Sequence, residues 1–425
     1  MEWKNDALFA ASLDKADELR SFRERFHIPV INGKTSIYFT GNSLGLQPVT
    51  ASAYVQQELN DWALLGVEGH FHAKHPWKPY HEMLTAPLAE LVGAKHQEVV
   101  VMNSLTVNLH LLMVSFYRPT EKRFRIICEA RAFPSDQYAF ASQAHFHGLD
   151  AEDAVIEIEP REGEYSLRTE DIVATIAQYA DSVALVVLGA VNYYTGQLYD
   201  INAVTKAAHD AGAYAGFDCA HAVGNVALKL HEQEVDFACW CSYKYLNSGP
   251  GGVAGIFIHE KHVANKDLPR FAGWWGQNKV TRFQMGKEFD PIPTAEGWQL
   301  SNAPILSMAV HKASLDIFEE AGMERLHTKR KMMAAYLRYL LDDINASLET
   351  PCMNIITPAD ENARGCQVSM LMLRQGKQVF EELSKRSVVA DWREPDVIRV
   401  APVPLYNSFT DIFQFAAIIK EILNS

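Results

Sequence analysis

Short apolar runs recur through the middle of this chain at helix-sized intervals. VVVM near 99, RFRIIC near 123, VALVVLG near 183, AYAGF near 213, DFACW near 236 and GVAGIFIH near 252 are rich in Val, Ile and Phe, and longer mixed stretches separate them. Runs without polar alternation are strands covered on both faces, and strands alternating with helices build a mostly parallel sheet. The pattern therefore predicts an α/β protein whose sheet is flanked by helices. Residues 8 to 26 carry a helical pattern, and the extended piece SIYFTGNSLGLQP follows, its glycines and proline marking a turn. From about 50 to 95 the pattern is helical again, broken by a His/Pro/Trp loop. Helices are also expected after VVVMNS and after ARAF, where Phe133, Pro134, Ser135 and Asp136 mark an N-terminus. ILSMAVHKASLDIFEEA at 305 to 321 reads as a long helix leading into a smaller domain that starts near 323 and ends in a helix at about 409 to 423. The expected division is an N-terminal helix and extended segment (1–50), a large domain (51–322) and a small C-terminal α+β domain (323–425).

Two of the apolar runs end in chemistry. AYAGFDCAHAVGN delivers Asp218, and DFACWCSYKYLNSGPGG delivers Lys244 against a glycine-rich turn. A lone acid or lysine after an apolar run is ordinarily a solvated strand end. Here the separation, 244 − 218 = 26 residues, is about one strand–helix–strand crossover, which brings both to the carboxyl edge of a parallel sheet, where α/β folds bind ligands. That pair can hold pyridoxal 5′-phosphate, the lysine through a Schiff base and the aspartate at the pyridinium nitrogen, whose charged form a nearby carboxylate favours. The phosphate calls for backbone N–H groups at a helix N-terminus and for hydroxyls, and Ser104, Thr106, Ser242 and Tyr243 are candidates.

Composition narrows the class. A chain of 425 residues, 48% hydrophobic, can bury a large core. Its net charge of −13 argues against a nucleic-acid or acidic-membrane surface, which needs clustered Lys and Arg. Six cysteines without a CxxC pair read as small core residues, and no run reaches a membrane span, so a reducing cytoplasm is expected. His70, His72 and His75 lack helix period and a carboxylate or cysteine at ligand spacing, so no metal site is expected. Neither GNSLGL nor GPGGVAG is a dinucleotide fingerprint, and no Walker motif occurs.

The surrounding words are specific. GNSLGL at 41 to 46, MNSLTVNLHLLM at 102 to 113, AFPSDQYA at 132 to 139, GFDCAHAVGN at 216 to 225, DFACWCSYKYLNSGPGG at 236 to 252 and RVAPVPLYNSF at 399 to 409 resemble the kynureninase family across nearly the whole chain. The resemblance implies an aminotransferase-like fold (pyridoxal-phosphate fold type I) and hydrolysis of L-kynurenine, or 3-hydroxykynurenine in some members, to an anthranilate and L-alanine. It implies that Lys244 is the Schiff-base lysine, Asp218 the pyridinium partner, Phe133 a ring that stacks on the cofactor and Asp136 a second carboxylate near the ring nitrogen. Leu105, Thr106, Pro134, Ser135, His221 and Tyr243 fall where the family contacts the cofactor. Trp274 in GWWG and Asn302 in LSNAP match residues that reach the cofactor from a neighbouring subunit, which implies a homodimer with shared sites. His70, Ser301 and Asn302 would line the pocket for the substrate's aromatic ring. Arg399 would grip its α-carboxylate as a bidentate fork, with a structural ion pair as the alternative, and Tyr243 is a candidate proton donor or a phosphate ligand. The chain departs from the family at Gly189, where some members have a serine, and at Gln277, where some have a histidine facing the substrate ring. The preferred substrate is expected to be L-kynurenine, with 3-hydroxykynurenine accepted more weakly. The rival reading is a cysteine desulfurase or aminotransferase on the same scaffold.

Overall fold

A computed structural model describes residues 2–424. Its centre is a seven-stranded sheet made of β1 (Val99–Val101), β2 (Arg125–Glu129), β3 (Val155–Ile158), β4 (Val183–Gly189), β5 (Tyr214–Asp218), β6 (Phe237–Trp240) and β7 (Gly255–Ile258). The strand order is β1-β7-β6-β5-β4-β2-β3, and β7 alone runs against its neighbours. The expected mostly parallel sheet is therefore present.

Alternation along the strands explains why both faces are apolar. Val186 and Leu188 of β4 point into one core while Leu185 and Val187 point into the other. Helices α3 (Glu82–Val92), α6 (Thr169–Gln178), α7 (Ile201–Asp210) and α8 (Ile305–Ala321) cover the first face through Leu88, Ile172, Val204 and Leu315. The second face is covered by α4 (Leu105–Phe116) and α5 (Pro134–Phe146) through Leu112, Phe116 and Phe140. Close packing leaves no room for a side chain at Gly216 of β5, where a Cβ would stand 2.1 Å from the Phe237 ring.

Gly322, at φ +73°, ends α8 and turns the chain into α9 (Met323–Ser347). A four-stranded antiparallel sheet follows, ordered β8-β9-β11-β10 from β8 (Met353–Ile355), β9 (Val368–Met372), β10 (Asp391–Arg393) and β11 (Val397–Val400), together with α10 (Gly376–Lys385) and α11 (Phe409–Asn424). These elements form a separate core, in which Met333, Leu337, Met370, Ile398 and Ile412 are buried.

Two expectations change. The opening helix α1 spans Ala7–Ala16 and stops well before residue 26, because Asp17 adopts an extended conformation and its carboxylate accepts the Leu19 N–H at 2.9 Å. A short 3₁₀ turn, Arg20–Arg25, carries the rest of that stretch. The N-terminal segment also does not stand apart. Ala10 and Leu13 of α1, with Ile37 and Phe39, belong to the core of the C-terminal elements.

Candidate active site

Three parallel strands, β2, β4 and β5, end side by side in Glu129, Gly189 and Asp218. The turn after β6 carries Tyr243 and Lys244, and the N-termini of α4 and α5 bring Leu105, Thr106, Phe133, Ser135 and Asp136 to the same cleft, with His221 on the loop after β5. The cleft encloses about 180 Å³. Glu129, Gly189, Val191, Tyr193 and Ala220 complete its lining.

The Lys244 turn is held from several sides. Asn247 N–H donates to the Lys244 carbonyl at 3.0 Å, Ser248 N–H to the Ser242 carbonyl at 3.1 Å, and the Ser242 hydroxyl to the Val253 carbonyl. GNSLGL braces it from outside, where Gly45 N–H donates to the Tyr243 carbonyl at 2.8 Å. A Cβ on Gly45 would lie 2.3 Å from the Lys244 carbonyl oxygen, so only glycine permits this approach. The same segment reaches the small domain through Asn42, whose amide donates to Gln367 at 2.9 Å, and through a bridge from Thr40 to Ala401.

Lys244 is 9% exposed, and its Nζ lies 5.5 Å from the centroid of the Phe133 ring. Among the described residues its amine has no hydrogen bond or ion pair. Burial pushes the Asp218 carboxyl up while Lys244 pulls it back, and its Oδ1 accepts the Ala220 N–H at 2.7 Å. Asp136 is pushed well up, by burial first and then by the charge of Asp218 and a hydrogen bond to it. The two carboxyls thus share a proton, with Asp136 as donor. Burial lowers His221 well below the ordinary histidine range, with Lys244 and Arg399 adding to the effect, so the ring is neutral. Burial also raises the Tyr243 hydroxyl, which keeps its proton at neutral pH.

This set fits pyridoxal phosphate. The Ser104 side chain makes no cap bond, so the first-turn N–H groups of α4 are free for an anion where Leu105 and Thr106 meet the cleft. His221 Nδ1 is buried without a partner. Phe133, set edge-on to Tyr193 with ring centroids 5.3 Å apart, offers a face to a planar ring.

Other expected residues lie elsewhere. Pro134 occupies the first turn of α5 and does not line the cleft. Arg399, 1% exposed, sits behind Tyr193, donating to the Tyr193 carbonyl and pairing with Asp391, while its Nε has no partner. Trp274 and Asn302 find each other, indole N–H to amide oxygen at 3.0 Å, and with Ser301 they stand on a loop segment outside the Lys244 cleft. His70, on a single helical turn, packs edge-on to Trp77 at 5.5 Å. The Gln277 side chain is tied within its own loop, donating to Thr281 at 3.0 Å and accepting from Asp290 N–H at 2.8 Å. Glu129 is the residue the sequence reading missed. RIICE ends an apolar strand in an acid just as AYAGFD does, and that parallel was the available signal.

Known proteins share this chain from end to end. A family model for the kynureninase C-terminal domain matches residues 328–419, and one for the DegT/DnrJ/EryC1/StrS aminotransferase family matches 76–238. Among solved structures, the apo structure of a cysteine desulfurase from Thermococcus onnurineus superposes with a TM-score of 0.77 over 95% of this chain and 98% of that one, at 17% identity, a likeness of fold. Kynureninases from Myxococcus xanthus (55% identical, 97% of this chain and 96% of that protein), Flavobacterium psychrophilum (54%, 99% of each) and Mus musculus (47%, 99% and 94%) align throughout. With the Asp218–Lys244 cleft and identity at this level over the full length, the chain belongs to the kynureninase family.

Proposed function

We propose that this protein hydrolyses L-kynurenine to anthranilate and L-alanine in tryptophan catabolism, with pyridoxal phosphate held at Lys244. The observation that carries the reading is the cleft, in which a buried, unpaired lysine amine faces the Asp218–Asp136 pair beneath an aromatic ring. Bound there, the cofactor supplies an aldehyde for amine exchange and a protonated ring that accepts electron density.

The side chains take the remaining roles. Lys244 would hold the cofactor aldehyde, and its amine would serve as the base for the proton on the substrate's α-carbon. Asp218 holds the ring-nitrogen proton, and Asp136 stabilises Asp218 by donating to it. The free N–H groups of α4 hold the phosphate. Tyr243 delivers a proton, and its half-buried hydroxyl stays protonated to do so. Net chemistry adds one water across the bond between Cβ and the ketone carbon: the hydroxyl goes to the carbonyl carbon and a proton to Cβ. Arg399, whose guanidinium pairs with Asp391 and whose buried Nε has no partner, is the candidate grip for the substrate carboxylate.

A homodimer completes the site. The loop bearing Trp274, Ser301 and Asn302 and the turn bearing His70 lie outside the cleft of their own subunit, and exposed Phe71 packs by His70 while exposed Phe283 and Met285 lie by Trp274, as at a surface covered by a partner. The chain works in the cytoplasm: its six cysteines are unpaired, and among the described residues no helix is long and apolar enough to cross a membrane. The proposed domains are 51–322 and 323–425, with the N-terminal segment contributing Leu19, Phe22, Phe26 and Leu46 to the core of the first and Ala10, Leu13, Ile37 and Phe39 to that of the second.

A desulfurase needs a mobile, exposed cysteine. All six here are buried, Cys352 and Cys366 included, which counts against that rival. The direct test is product analysis. Cofactor-loaded protein given L-kynurenine should release anthranilate and alanine in equal amounts, and it should prefer L-kynurenine to 3-hydroxykynurenine by kcat/KM, with the ratio moved by His70→Phe or Asn302→Thr. Sulfur release from cysteine with no anthranilate would transfer the chain to the rival class.

A further inference from the structure

Glu129 is a buried acid in the cleft for which the reaction above has no use. It is 4% exposed, and both its oxygens accept from one donor, the Gly189 N–H, at 3.1 and 3.3 Å. Gly189 lies opposite Asp218 in the β4–β5 register, so the glycine separates two acid-bearing strand ends. A Cβ on Gly189 would meet Glu129 Oε1 at 3.0 Å, closer than ordinary contact, so the missing side chain is the room that the carboxyl occupies. The two residues form a matched pair.

The charge balance decides the state of that carboxyl. Glu129, Asp218 and Asp136 face a cleft with one amine, Lys244, and the groups acting on Glu129 are themselves acids, Asp218 and Glu157, with the Tyr199 hydroxyl close by. With Asp136 already carrying a proton, Asp218 and Glu129 still face one cation in a buried cleft, which disfavours a second negative charge there. Burial pushes Glu129 up to about 8 despite its own backbone N–H and that of Gly189, both of which favour its charge. A neutral carboxyl whose acceptors are already used by a backbone N–H still has one O–H to place, and the cleft is the open side.

We infer that Glu129 is a cofactor-positioning residue: it occupies the gap over Gly189 as a neutral acid and donates a hydrogen bond from the strand edge to a polar atom of the bound pyridoxal ring. The inference rests on the proposed cofactor site and deepens it. The bound ring carries electron-rich oxygen on its edge, an acceptor that a carboxylate would repel and a carboxylic acid or an amide would satisfy.

The test is cofactor affinity, measured by equilibrium dialysis of pyridoxal phosphate against purified wild type, Glu129→Gln, Glu129→Leu, Gly189→Ala and the Glu129→Leu/Gly189→Ala double variant. Glutamine keeps a donor and should bind within about threefold of wild type, whereas leucine should weaken binding tenfold or more. Gly189→Ala, which pushes the carboxyl out of its gap, should weaken binding comparably and add little in the leucine background, because both changes remove one interaction. Should leucine at 129 fail to fold, the Gly189→Ala and Glu129→Gln measurements still decide. Equal loss for glutamine and leucine would mean that an ionised carboxylate is required and overturns the inference, as would wild-type affinity in Glu129→Leu and Gly189→Ala. Wild type that binds no cofactor would instead overturn the function proposed above.

Discussion

Gly45→Ala should damage catalysis more than stability, although residue 45 does not line the cleft. The added Cβ would stand 2.3 Å from the Lys244 carbonyl oxygen, 2.3 Å from Asn247 Oδ1 and 2.8 Å from Asn247 Cα, whereas ordinary contact begins at 3.4 Å. Two of these three atoms are backbone, so rotating a side chain cannot relieve the clash. The 41–46 segment and the lysine turn must part by about an ångström. That separation breaks the bond from Gly45 N–H to the Tyr243 carbonyl, worth about 0.5–1.5 kcal/mol, and overpacking adds roughly 1–3 kcal/mol. A total of about 1.5–4.5 kcal/mol leaves a protein of ordinary stability folded. The lysine amine, however, moves with its turn, and a misplacement of ~1 Å costs on the order of a hundredfold in rate. Anthranilate fluorescence under saturating kynurenine gives kcat, and urea denaturation of the same sample gives stability. The expected result is a kcat reduced by about two orders of magnitude in a folded protein. A kcat within twofold of wild type would refute the claim that GNSLGL positions Lys244.

Further outcomes follow from other parts of the structure. Asp218→Ala should lose cofactor affinity and nearly all turnover, with Asp218→Glu retaining part; normal turnover in the alanine variant would move the ring-nitrogen role to Asp136. Mixing Lys244→Ala with Trp274→Ala under subunit exchange should restore about a quarter of wild-type activity, since half the dimers are hybrids with one intact site; no recovery despite proven exchange would count against sites shared between subunits. Burial would raise Glu296, but hydrogen bonds from His81 at 2.9 Å and Lys279 at 3.0 Å bring it down from 4.5 to about 2. A depressed acid stabilises the fold at pH above its free value, here by roughly 3 kcal/mol, and that stability is lost as pH falls from about 4.5 towards 2. Unfolding followed across that window should show a shallower pH dependence for Glu296→Gln, and an unchanged slope would remove Glu296 from the account.

How far the chain could be read without coordinates depended on the range of the interactions involved. Asp218 and Lys244 were legible because each ends an apolar run and their spacing matches one crossover, both local properties. The sheet was legible for the same reason, since strands buried on both faces announce themselves as uninterrupted apolar runs. Glu129 escaped notice because its meaning depends on Gly189, sixty residues away in sequence and adjacent only across the sheet. Arg399 has its partner, Asp391, on the neighbouring strand of an antiparallel pair, a register that composition does not specify. The opening helix was drawn too long because Arg20–Arg25 keeps a helix-like mix of charged and apolar residues in a 3₁₀ turn, and the break at Asp17 depends on a single side-chain bond to Leu19. That α1 packs against the C-terminal elements is a long-range event with no periodic signature.

The central claim is that Lys244 carries the cofactor, and reduction tests it most directly. Protein loaded with pyridoxal phosphate is treated with borohydride, which fixes the cofactor to the amine that holds it, then digested and mapped by mass spectrometry. The account predicts the pyridoxyl mass on the peptide containing SYKYLNSGPGG, at Lys244, with loss of the visible absorption band. A label on another lysine, or none on a protein that turns over kynurenine, would contradict it.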